Sequence, residues 1–125
     1  MRHWRILVQV GRVYITVVEV EPFPAKAAQV WNHEERLEFI GFIAENPEAG
    51  DLIAGSGGVR KVRWSRAGTG KRGGVRVIYY YSDESMPLFL LTVYPKNRKD
   101  NLSPTQVRAM KQIVSILRST YGKIN

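Results

Sequence analysis

Between residues 55 and 82 the chain carries seven basic side chains and no acid: Arg60, Lys61, Arg63, Arg66, Lys71, Arg72 and Arg76. Two strand-like runs, 59 to 64 and 75 to 82, flank a Gly-rich turn. Side chains alternate faces along a strand. Lys61 and Arg63 therefore share one face, and Val62 and Trp64 the other. In the second run Arg76, Ile78 and Tyr80 lie opposite Val75, Val77, Tyr79 and Tyr81. A hairpin gathers Lys61, Arg63 and Arg76 on one surface, with Lys71 and Arg72 in the turn above. Such a surface suits a phosphodiester. GxGK in the turn is no Walker loop, because it sits between two strands and no helix follows.

The flanking elements must hold this hairpin in place. Residues 13 to 20, VYITVVEV, are rich in β-branched and aromatic types and predict a strand that ends at Pro22 and Pro24. Residues 1 to 12 read either as an irregular extension or as a first strand of unfixed register. Residues 24 to 31 suit a short helix. Asn32 and Glu35 form a capping-box pattern for a second helix from about 33 to 45. Its apolar stripe is Leu37, Ile40, Ile43 and Ala44, widened by Phe39 and Phe42. Glu34, Glu35 and Glu38 match the positive end of that helix's dipole, so they read as a solvated end and not as a catalytic cluster. Residues 46 to 58 read as a loop. Residues 88 to 94, LFLLTVY, read as a strand with Phe89, Leu91 and Val93 on one face and Leu88, Leu90, Thr92 and Tyr94 on the other. If that phase continues past Pro95, Lys96 joins the Tyr94 face. Ser103, Pro104 and Gln106 open a last helix. Its stripe is Val107, Met110, Ile113, Val114, Leu117 and Tyr121, with Gly122 at its end. Arg108, Lys111 and Arg118 read as its solvated face. The order is strand, two helices, three strands, helix. It implies an α+β domain whose antiparallel meander packs helices on one face and leaves the other partly open and basic.

Length and composition agree with a single domain over 1–125. There is no cysteine, which excludes disulfides and thiolate ligands, and only His3 and His33 could supply imidazole. No cofactor is implied. No signal peptide or membrane span is recognisable, and a reducing cytoplasm is the expected location. Residues 1 to 51 hold five Lys or Arg against eight acids; residues 52 to 125 hold fourteen against three. The basic part points to a polyanion, either nucleic acid or an acidic protein segment.

The run NPEAGDLIAGSGGVRKVRWSRAGTGKRGGVRVIYYY, followed by FLLTVYPKN, resembles the HigB-like branch of the RelE/ParE toxin superfamily over roughly residues 35 to 115. The resemblance implies a RelE-like fold: a twisted antiparallel β-sheet with two N-terminal helices and a C-terminal helix. It implies a metal-independent, ribosome-dependent mRNA endoribonuclease of a type II toxin–antitoxin system. The implied partners are the ribosome, mRNA and a cognate helix-turn-helix, HigA-like antitoxin. Cleavage requires a deprotonated 2′-OH, a stabilised phosphorane and a protonated 5′-oxygen, tasks that Lys, Arg and Tyr can share. By resemblance, Lys61, Arg63, Lys71, Arg76 and Tyr94 are the catalytic set. Arg76 and Arg63 serve the phosphorane, and Lys61 or Lys71 serves proton transfer. Arg60, Arg66, Arg72, Tyr80, Lys96 and Arg98 are the RNA-binding set. Two departures stand out. Asn97, with Arg98 beside it, sits where relatives carry an arginine, and no tyrosine occurs between Pro95 and Thr120.

Two other readings stay open at this point. One is a ParE-like inhibitor that binds DNA gyrase and cuts nothing. The other is a non-catalytic basic domain that binds RNA or an acidic antitoxin segment. Fold alone does not choose among them.

Overall fold

The computed structural model describes residues 3–65, 74–96 and 102–122. VYITVVEV forms strand β2 (Val13–Val20). The residues before it are no ragged extension. They form β1 (His3–Val10), which pairs antiparallel with β2 from Val10 opposite Val13 to His3 opposite Val20. Gly11 takes a φ of 60° in the two-residue turn, a conformation in which glycine pays no Cβ penalty. Ile6, Val8 and Val10 pack on the core while Leu7 stays exposed.

Helices α1 (Phe23–Val30) and α2 (His33–Glu45) follow. The capping box is formed: the Asn32 side chain accepts from Glu35 N–H at 2.8 Å, and Glu35 accepts from Asn32 N–H at 2.9 Å. Phe39, Ile40, Ile43 and Ala44 are buried as the stripe requires. Leu37, assigned to that stripe, is 48% exposed instead. Arg36 uses its Nε and Nη2 to bind both carboxylate oxygens of Glu19, which is buried on β2. A buried carboxylate needs such a partner, so this bidentate pair locks α2 to the sheet.

The loop expected over 46–58 contains a two-residue strand, β3 (Asp51–Leu52). Strands β4 (Val59–Trp64), β5 (Val75–Tyr80) and β6 (Leu88–Pro95) form the meander. Helix α3 (Pro104–Tyr121) closes the described chain, with its Ser103–Gln106 capping box formed. The strands make one sheet in the order β1-β2-β6-β5-β4-β3. The sheet is mixed, because β2 runs parallel to β6 through Val17–Glu19 and Leu88–Leu90. The antiparallel meander expected from the sequence forms as β4–β5–β6, and the parallel β2–β6 pair adds to the antiparallel sheet that the resemblance implies. Helices α1 and α2 and strands β3 to β5 separate β2 from β6, so no short turn dictates their relative direction.

Helices cover both faces. Phe23, Ala27, Trp31, Phe39 and Ile43 meet Val17, Val77, Tyr79 and Leu90 on one side. Val114 and Leu117 of α3 meet Val18, Ile78, Tyr80, Phe89 and Tyr94 on the other. The face expected to be partly open is thus largely occupied by α3. Its apolar stripe and the strand residues of the opposite parity both demand burial.

Candidate nucleic-acid interface

The basic cluster survives at one end of the α3 face. β4 and β5 pair with Arg63 directly opposite Arg76, and β5 and β6 pair with Arg76 directly opposite Tyr94. Neighbouring strands lie about 4.8 Å apart, so the row Arg63–Arg76–Tyr94 spans about 10 Å. Arg76 is 8% exposed and Tyr94 is 7% exposed; Arg63 is exposed. The Lys96 N–H donates to the Gly74 carbonyl at 3.2 Å, which continues the β5–β6 ladder by one step. Arg63, Trp64, Ser65, Gly74, Arg76 and Lys96 together line a small depression of about 60 Å³. It presents three cations and no carboxylate among the described residues. Trp64 points to the other face, where it packs on Phe42 (4.7 Å between ring centroids) and Phe39 (5.6 Å). It thereby fixes the end of β4 next to Arg63.

Tyr94 reaches this row through a β-bulge. Tyr79 pairs with Leu90, yet Ile78 pairs with Thr92, leaving Leu91 as the extra residue of β6. A bulge shifts the facing of everything beyond it. Before it, Leu88 and Leu90 face α1 and α2; beyond it, Val93 does so and Tyr94 faces α3. The strict alternation expected for this strand would have put Tyr94 with Leu88, away from Arg76. That phase is corrected by the one-residue insertion.

The remaining expected site residues divide three ways. Lys61 lies on the face of Arg63, opposite Ile78 on β5, and β3 sets Asp51 directly across from it. The sequence around Lys61 contains no such acid, so only the pairing of β3 reveals this neighbour. Arg60 is turned away from the Arg63–Arg76 row. It faces α2, where its Nη1 donates to the Gly50 carbonyl at 2.7 Å and its Nη2 lies 3.8 Å from a Glu48 carboxylate oxygen. Tyr80 is corrected as well. It is 2% exposed, its hydroxyl accepts from Arg118 Nη1 at 2.8 Å, and its ring lies against Phe89, so it has no face left for a base. The bond to Tyr80 also gives Arg118 a structural contact beyond the solvated role read from the sequence. Arg66, Lys71, Arg72 and Arg98 lie outside the described residues.

On the opposite face, Tyr79 mirrors this cluster with a structural task. Its hydroxyl accepts from Gly50 N–H at 2.8 Å and donates to the Pro47 carbonyl at 2.9 Å. Burial raises its pKa above the ordinary tyrosine value; the Gly50 hydrogen bond and Arg60 offset part of that rise. Gly50 itself has no room for a side chain, since a Cβ there would lie 2.8 Å from the Lys61 carbonyl oxygen.

A family profile described as the RelE toxin of the RelE/RelB toxin–antitoxin system matches residues 34–123. The chain belongs to the RelE toxin family. The match takes in α2, the β3–β6 meander and α3, and so includes the whole Arg63–Arg76–Tyr94 row. Membership makes the chain a toxin and implies an antitoxin as its partner. The α+β architecture, with its mixed sheet and C-terminal helix, agrees with the RelE-like fold. No helix among the described residues is long and apolar enough to cross a membrane.

Proposed function

We propose that this RelE-family toxin is a ribosome-dependent endoribonuclease that cuts translated mRNA in the cytoplasm without a metal. In this reading it belongs to the HigB-like branch and is held inactive by a helix-turn-helix, HigA-like antitoxin. The observation that carries the reading is the direct pairing of Arg63 with Arg76. Like charges opposite one another in a sheet are unfavourable. An anion held by both removes that cost, and a phosphodiester is such an anion.

The chemistry follows from the row. Attack by the 2′-oxygen on phosphorus builds a phosphorane with extra negative charge. Arg76, pre-set in a largely buried position, and Arg63 beside it stabilise that charge with little reorganisation. The 2′-OH proton passes to a base, for which Lys61 and Lys71 are the candidates. Tyr94, opposite Arg76 at the end of the row with its hydroxyl buried, backs Arg76, and the second lysine is the candidate to hand a proton to the leaving 5′-oxygen. Lys96, with Arg66, Arg72 and Arg98 by sequence, supplies backbone charge.

The test is mRNA cleavage by the purified protein, with and without 70S ribosomes, beside Arg76→Ala. Cleavage that requires ribosomes and is lost in the variant supports the reading. A folded protein that cuts no mRNA in either condition overturns it.

A further inference from the structure

We propose that the cleft along the outer flank of β6 is a nucleobase pocket that reads a base next to the scissile phosphate. This rests on the endoribonuclease reading of the same site. The cleft exists because β2 pairs with β6 only as far as Leu90 and then turns away into α1. Residues 91 to 95 of β6 consequently form the floor of a cavity of about 450 Å³, with α1 on one bank and α3 on the other. That volume is in the range of small-ligand sites.

Its chemistry suits an uncharged flat ring. Met110 and Ile113 of α3 and Val30 of α1 give apolar surface. Gln29, Thr92 and Gln106 supply neutral donors and acceptors, the groups that match base edges. Gln106 is already fixed, because its Oε1 accepts from Ser103 N–H at 2.8 Å in the helix cap. The same side-chain amide carries a donor nitrogen beside that acceptor. Glu21 and Lys26 add one acid and one cation, so no strong net charge opposes a base.

Position selects this cleft over its rival. Tyr94 is shared: it lines the cleft and stands directly opposite Arg76. A strand whose phosphate lies at Arg63 and Arg76 can pass Tyr94 and place a neighbouring base between the helices. The other large cavity, about 570 Å³, is lined by Glu45 and Glu84 beside Tyr81. Those carboxylates repel a phosphodiester.

The test uses the full chain and two kinds of probe, followed by NMR. Each of the four uncharged nucleosides is expected to shift the side-chain amides of Gln29 and Gln106. Inorganic phosphate is expected to shift the Nε–H signals of Arg63 and Arg76 instead. Thr92→Val and Gln29→Ala should each weaken nucleoside binding by up to about tenfold and change the ranking of the four, with the phosphate response retained. In ribosome assays the same variants should shift which base is favoured at the cut. Nucleosides that leave these amides unmoved, with phosphate still felt at Arg76, overturn the pocket and leave the cleavage reading standing. Nucleoside binding unaffected by both variants also overturns it. Saturable nucleoside shifts in a protein that cuts no mRNA support the pocket and count against cleavage alone.

Discussion

Arg60 and Arg63 are three residues apart on one strand and serve opposite ends. Arg60 faces α2 and, with Tyr79 across from it, holds the Pro47–Gly50 segment through backbone carbonyls and an N–H. Arg63 faces the α3 side and is paired with a second arginine. One face spends its polar groups on the protein's own backbone, in bonds that tie the Pro47–Gly50 segment to β4 and β5. The other collects like charge that the fold alone does not reward. Stability and ligand chemistry are thus separated by the pleat of a single hairpin.

That separation can be broken from either side. The largest effect is expected from Arg76→Ala: mRNA cleavage should fall about 10²- to 10³-fold, the usual cost of losing one group that stabilises transition-state charge. Thermal unfolding should confirm that the variant remains folded. Gly50→Ala should act only on the structural side. The new methyl meets the Lys61 carbonyl and the Tyr79 ring (Cε1 at 2.9 Å). A loss of about 1–3 kcal/mol in denaturant unfolding is expected from such overpacking. Tyr79→Phe should cost about 1–3 kcal/mol, because it strands the Gly50 N–H in a buried setting. Cleavage per folded molecule should be unchanged in that variant. If Tyr79→Phe abolishes cleavage without loss of stability, the division of the two faces is wrong.

A smaller effect is expected with pH. The Tyr79 hydroxyl has a raised pKa in the folded state, chiefly from burial. Its contribution is therefore fully present below the unfolded value near 10. It is lost as pH rises through the folded value. Stability should decline on the alkaline side, and Tyr79→Phe should flatten that decline. Tyr81 is raised in the same direction, by burial and then by Glu84, Glu48 and Asp83, so part of the decline should persist.

Much of this layout was legible in the sequence where local chemistry decides it. Asn32 with Glu35 and Ser103 with Gln106 announce the starts of both long helices, and both caps form. The parity of VRKVRW and VRVIYY correctly put Arg63 beside Arg76 and Tyr79 in the core. Long-range pairing was not legible. Nothing local reveals that β2 runs parallel to β6, or that β3 brings Asp51 to Lys61. The Leu91 bulge escaped for a different reason: LFLLTVY is apolar on both faces, so alternation carries no signal of a slipped phase. The setting of Arg60 and Tyr80 escaped because sequence shows a side chain's type and parity but not what encloses it. Leu37 fits a helical stripe yet falls outside the contact made by α2.

The place of β6 in the sheet has a consequence for synthesis. It is the strand that joins the β1–β2 hairpin to the meander, with Val17 meeting Leu88 across most of the chain. Until residues 88 to 95 have been made, the hairpin and the first meander strands have no common strand neighbour, although α2 already touches both. Translation delivers the joining piece late. Its contacts close long loops, which slows folding. The Arg63–Arg76–Tyr94 row cannot assemble before that moment. A growing chain therefore lacks the complete row until most of the protein has left the ribosome.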